Sequence, residues 1–217
     1  MLPDLPFVHS NPLILLDYLG VLIFAATGAL AAARKHYDIV TFVFFAAITG
    51  IGGGTLRDLL IGAPVFWVHD SGYFAVSIVA AAAVWVLGSR GWLFPALLWL
   101  DALGLAAYAV IGAAKAVAWG VPPLVCIVMG ALTATLGGVL RDVLAGEPSV
   151  LLRREITVSA ALVAAGMFIL LDSAGVAPWI AAGAGFAAGF VLRAGALRFG
   201  WSLPGFRAAP RDEAPRP

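Results

Sequence analysis

Displaced by 84 residues, the sequence falls onto itself without a gap: Asp17 meets Asp101, Gly20 meets Gly104, Gly28 meets Gly112 and Thr49 meets Thr133. Gly53-Gly54 then meets Gly137-Gly138, Leu56-Arg57-Asp58 meets Leu140-Arg141-Asp142, and Gly62 and Pro64 meet Gly146 and Pro148. Self-similarity at a fixed period restricts the fold to copies of one structural unit. Here there are two copies, each with three apolar runs, and those runs decide what the unit is.

The chain is 62% hydrophobic and 12% charged, with a mean hydropathy of +1.01, far from the make-up of a soluble domain. Several runs reach the ~20 apolar residues that a bilayer span requires. The spacing predicts spans over about 13–33, 39–60, 72–87, 94–115, 122–144, 156–171 and 176–196. The expected fold is an all-α membrane protein of seven transmembrane helices. It divides into a first three-helix repeat at 13–88, a second at 94–172 and a seventh helix at 176–197. Residues 1–12 form a Pro-containing lead without the basic region and cleavage site of a signal peptide, so the first span is expected to stay in the mature protein. Residues 203–217, rich in Pro, Arg and acidic groups, read as a disordered cytoplasmic tail.

An odd number of spans per copy turns the second copy upside down. Inverted pairs of this kind place a pathway at the repeat interface, lined by discontinuous helices. Of the Lys and Arg residues, all but Arg57 and Lys115 fall on the side of the C-terminus. That bias predicts a cytoplasmic C-terminus and an outside N-terminus in the cell (inner) membrane. Trp67, Trp92, Trp119, Trp179 and Trp201 fall near span ends, as interfacial anchors do.

Gly50, Gly52, Gly53 and Gly54 lie inside the second span, and Gly137 and Gly138 inside the fifth. A glycine in a helix interior is about 1 kcal/mol worse than alanine, and clusters of them favour a kink or break. In lipid a break is tolerated only beside protein or a wet cavity. The clusters are therefore read as pore-lining breaks whose carbonyls replace part of a cation's hydration shell. Thr49, Thr55, Thr133 and Thr135 add hydroxyl oxygens to the same wall. The scattered Gly28, Gly112, Gly183, Gly185 and Gly189 read instead as close-packing positions.

With Gly-Gly-Gly-x-x-Arg-Asp at 52–58, Gly-Gly-x-x-Arg-Asp at 137–142 and a seventh helix, the chain resembles the prokaryotic trimeric intracellular cation (TRIC) channels over roughly residues 13–197. The resemblance implies a homotrimer with one pore per protomer, permeable to potassium and other monovalent cations. It also implies that the second and fifth spans kink at their glycines and line that pore. Related bacterial sequences carry a proposed glycine-transporter label, so a secondary transporter of a small zwitterion is the rival. The Lys-Glu-Val motif of the animal members is absent, and their lipid-dependent regulation is not carried over.

Ionisable groups at membrane depth are expensive unless paired or wet. The topology puts Asp17 in the leaflet of Arg57 and Asp101 in that of Arg141, as gate charges or as structural clamps; Asp58 and Asp142 are the adjacent alternatives. Lys115, aligned with Ala31, either snorkels to the interface or serves as a movable gate charge. Tyr108 narrows the path or packs. His9, His36 and His69 show no metal-ligand spacing, and Cys126 rules out an intrachain disulfide. Gly50–Gly54 lacks the third glycine of a dinucleotide loop, since position 55 is Thr. With no catalytic constellation in view, the expectation is a non-enzyme without cofactor beyond the permeating ion. Its surroundings are the lipid bilayer, with no nucleic-acid partner.

Overall fold

The computed structural model describes residues 11–88, 93–148 and 156–203. Most of the lead, the Ser89-Arg90-Gly91 turn, Arg153-Arg154-Glu155 and the tail from residue 204 lie outside the described residues. Among those described, the chain forms α1 (Asn11–Arg34), α2 (Ile39–Leu60), the short α3 (Phe66–His69), α4 (Gly72–Leu87), α5 (Leu93–Ala118), α6 (Pro123–Leu144), α7 (Val158–Ser173) and α8 (Pro178–Phe199). Five of these, α1, α2, α5, α6 and α8, are long and apolar enough to cross a membrane. The apolar α4 and α7 have 16 residues each, a rise of about 24 Å.

Local chemistry fixes the ends. Asp38 caps α2 by accepting the Thr41 amide at 2.8 Å, the usual service of an N-cap side chain, and those hydrogen bonds hold its carboxyl below the ordinary carboxylate range. Proline opens α6 and α8, where its missing N–H is no loss. The ends of α2 and α6 are copies of each other. Ile61, Gly62 and Ala63 donate their amides to the carbonyls of Arg57, Leu59 and Asp58; Ala145, Gly146 and Glu147 donate to Arg141, Val143 and Asp142. The turns after α1 and α5 also match, and there the left-handed position is His36 (φ 55°) in one copy and Gly120 (φ 71°) in the other.

In the tertiary packing α1 lies against α2 and α4, α5 lies against α6 and α7, and α8 covers α5 and α7. The two triplets meet along α2 and α6 and along α1 and α5. At the second seam a Cβ on Gly20 would enter the Tyr108 ring, and one on Gly104 would lie 3.3 Å from Phe24. Phe24 and Tyr108 are themselves equivalent positions and meet edge to face at 5.5 Å. Val21, Phe24, Ile51, Leu105 and Tyr108 share one core; Ala25, Ala29, Phe42, Phe45 and Val84 fill a second within the first triplet. The outside carries large apolar side chains, with Val40, Val86, Leu124, Trp179 and Phe199 all more than two-thirds exposed. A surface of that kind is suited to lipid rather than water.

Candidate functional site

The glycine clusters do not break their helices. Each of α2, through Gly50–Gly54, and α6, through Gly137-Gly138, runs as a single helix. The physical reason lies across the seam. A Cβ on Gly53 would press into the Thr133 carbonyl oxygen, and one on Gly137 into the Thr49 carbonyl oxygen. Those two contacts are the same contact seen from either repeat, and they bring the two backbones together where both sequences place glycine. Gly50 packs on Val21 and Ala25, and Gly54 on the Phe66 ring. Gly52 faces only the end of the Leu140 side chain. Gly138 is buried, yet a Cβ there would meet only Arg141 Nη2, at 3.7 Å.

The scattered glycines fit close packing in most cases. Gly28 lies against the Phe45 backbone, Gly112 against Thr133, and Gly185 and Gly189 against Ala164. Gly183 instead faces open space.

All four threonines lie in α2 and α6, with Thr49 and Thr133 nearest the crossing. Thr133, Thr135 and Thr55 each donate the hydroxyl proton to the carbonyl four residues back, at 2.6, 2.7 and 2.7 Å. A hydroxyl committed in this way can still accept through its oxygen, and at Thr55 the Trp67 indole already donates to it at 2.9 Å. Thr49 Oγ1 is buried without a hydrogen-bond partner, an arrangement that asks for an explanation in a native fold.

About 7 Å along each helix beyond Gly53 and Gly137 stands a cluster of charge, one at the end of α2 and one at the end of α6. In the first, Asp58 is fully buried and Arg57 nearly so. Arg57 donates from Nε and Nη2 to Asp58 Oδ1 at 2.9 and 2.7 Å. Lys115 reaches over from α5 to 2.8 Å from the same oxygen and donates to Oδ2 at 2.9 Å. The Phe66 amide donates to Oδ2 at 3.1 Å. In the second cluster Arg141 holds Asp142 Oδ1 at 2.9 Å through Nε and Nη2 and donates from Nη1 to Thr27 at 3.1 Å. Nearby, Lys35 and Glu147 stand 3.7 Å apart and tie the turn after α1 to the turn after α6.

Of the two partners open to each arginine, the structure takes the adjacent aspartate. Arg57 takes its sequence neighbour as partner, and Asp17 makes no ion pair with it; Asp17 Oδ2 accepts the Tyr73 hydroxyl at 2.7 Å instead. Asp101 sits half-buried near the start of α5, while Arg141 takes Asp142 and Thr27. Lys115 does not snorkel, since its ammonium turns to Asp58 beneath the Phe66 and Trp119 rings. With Ala31 in the equivalent position, the Lys115 contact to Asp58 has no lysine counterpart at the Asp142 end. Tyr108, between the triplets, donates to the Asp17 carbonyl at 2.7 Å.

Sequence reading missed Thr27, Tyr18, Tyr73 and α3. Tyr18 and Tyr73 stack at 4.2 Å and donate to Asp70 and Asp17 respectively. Their positions in apolar runs carry no mark of that role. Among the described residues no group of His, Cys, Asp and Glu is arranged to hold a metal.

A family model described as Glycine transporter matches the chain twice, over residues 14–89 and 98–173. The two matches are offset by the same 84 residues as the internal repeat. A UPF0126 membrane protein of Vibrio cholerae is 36% identical over 205 residues, spanning 92% of this chain and 84% of that one. The structure superimposes with a TM-score of 0.82 and 47% identity on the TRIC trimeric intracellular cation channel orthologue from Rhodobacter sphaeroides, covering 88% of this chain and all of that one. The chain belongs to the prokaryotic TRIC family. A second solved family member, described as a TRIC cation channel, matches at a TM-score of 0.80 and 28% identity, covering 90% of this chain and 98% of that one. With relatives named as membrane proteins and long apolar helices of its own, this TRIC family member is a multi-pass membrane protein.

Proposed function

We propose that the protein is a potassium-permeable monovalent cation channel with one path in each protomer, running between α2 and α6. The observation that carries this reading is the likeness in sequence and fold, along the whole of its partner, to a solved TRIC cation channel. The local geometry supports it. Hydroxyl oxygens of Thr49, Thr55, Thr133 and Thr135 line two helices that touch at Gly53 and Gly137, and each end of the seam carries an arginine neutralised by an aspartate. In the arrangement described here α2 and α6 are in backbone contact, so conduction requires them to part at that crossing. Gly50, Gly52, Gly54 and Gly138 then line the widened seam, and Asp58, Lys115 and Arg57 at one end and Arg141 and Asp142 at the other are its gate or clamp charges. Asp17 and Asp101 stand behind those clusters.

The architecture behind this reading is seven spans: an inverted pair, 13–88 and 94–172, with α8 as the seventh helix. Its support is reciprocity. Gly53 meets Thr133 as Gly137 meets Thr49, and Gly20 meets Tyr108 as Gly104 meets Phe24, as contacts across a two-fold axis do. The protomers assemble as a homotrimer, with the N-terminus outside and the C-terminus cytoplasmic. No cofactor and no chemical step belong to this function.

The description Glycine transporter attached to the matching family model favours a second reading, alternating access for a small zwitterion. Such a site needs a helix N-terminus aimed at a carboxylate near the midplane, and α2 and α6 are continuous there. Proteoliposomes loaded with glycine decide between the two. The channel predicts passive potassium efflux and no saturable glycine counterflow; saturable counterflow with no potassium conductance establishes the transporter.

A further inference from the structure

The four-residue α3 does more than join α2 to α4. Its placement is specific. Phe66 donates its amide to the Asp58 carboxylate that Arg57 and Lys115 also hold. The Phe66 ring lies on Gly54, where a side chain would displace it. The Trp67 indole donates to Thr55 Oγ1 at 2.9 Å. None of the residues in α3 is fully buried; Phe66 and Trp67 pack half-buried on the edge of the main core, Phe66 edge to face with Tyr73 at 4.7 Å, and the polar contacts to the last turns of α2 fix the segment over Asp58. The segment is flanked by turns: Gly62 at φ 70° with open space around it on one side, and Asp70 capping the Gly72 amide at 2.9 Å on the other.

The second repeat carries the Arg-Asp pair, but its sequence differs at the two positions that form the indole–hydroxyl bond. Positions equivalent to Thr55 and Trp67 are Val139 and Leu151, which have neither an acceptor hydroxyl nor an indole donor. The hydrogen bond is therefore a feature of one end of the molecule, laid over the charge cluster that holds two cations.

We propose that α3 is a latched lid over the Arg57–Asp58–Lys115 end of the α2–α6 path, and that the Trp67–Thr55 hydrogen bond is its latch. This rests on the channel reading for its consequence, since a lid that lifts off Asp58 opens that end of the path to water. Trp67 is a positioning residue that acts through α3, anchored on the Thr55 hydroxyl at the edge of the path.

Trp67→Phe keeps an aromatic ring and removes the donor; Thr55→Val keeps the shape and removes the acceptor; Thr55→Ser restores it. The purified full chain is measured two ways, by hydrogen exchange at the Phe66 amide and by single-channel open probability in potassium. The lid predicts that Trp67→Phe and Thr55→Val each speed exchange at Phe66 about fivefold, the equilibrium effect of one net hydrogen bond, and raise open probability by a similar factor. The double variant does no more than either single, and Thr55→Ser returns exchange at Phe66 to the wild-type rate. Unchanged exchange overturns the latch. Faster exchange with an unchanged open probability overturns the lid's control of the path. Wild-type bilayers without currents sink the channel reading instead, and the latch is then decided by the exchange data alone.

Discussion

Lys115 Nζ lies 2.8 Å from the Asp58 oxygen that Arg57 Nη2 already holds at 2.7 Å. One fully buried carboxylate thus neutralises two cations drawn from two helices, while its counterpart Asp142 is paired with Arg141.

Removing the carboxylate is predicted to be far worse than removing one cation. Asp58→Asn leaves Arg57 and Lys115 facing each other in a buried site, and breaking a buried pair in this way costs about 3–5 kcal/mol. Lys115→Met keeps the Arg57–Asp58 pair and is expected to lose less than about half of that. Thermal unfolding in detergent ranks the two; equal losses would mean that Asp58 does not hold both cations.

Substitutions at the glycines separate packing from open room. Gly53→Ala and Gly137→Ala force a methyl group against a facing backbone carbonyl, an overpacking expected to cost about 1–3 kcal/mol. Gly138→Ala meets only Arg141 at 3.7 Å and is expected to be neutral or to stabilise by up to about 1 kcal/mol through helix propensity. Melting temperatures of the three variants check this, and a Gly53→Ala protein as stable as Gly138→Ala would refute the tight crossing.

His36 takes a left-handed backbone where the second repeat has Gly120. A side chain in that region costs about 1–2 kcal/mol, partly recovered through the smaller entropy of the unfolded chain. His36→Gly is therefore expected to stabilise by up to about 1 kcal/mol in the same unfolding assay, and a clear loss of stability would contradict it.

Much of the fold is legible in the sequence because its determinants are local. The second span read at 39–60 coincides with α2 (Ile39–Leu60), and the third at 72–87 with α4 (Gly72–Leu87); Asp38, Gly62, Gly88 and the prolines mark the ends. The role of the glycines is not local. Whether Gly53 breaks a helix or admits a neighbour depends on what stands opposite, and Thr133 lies 80 positions away. Partner choice fails for the same reason: Asp17 and Asp58 are equally eligible for Arg57 until the rotation of α1 hands Asp17 to Tyr73. The α3 lid leaves no pattern at all, since four residues are too few to show a period.

The central claim, a cation path in each protomer, is tested most directly by purified protein in a planar bilayer under a potassium gradient. The account predicts step-like unitary currents that reverse near the potassium equilibrium potential. Bilayers that stay silent while the same preparation drives saturable glycine counterflow would contradict it.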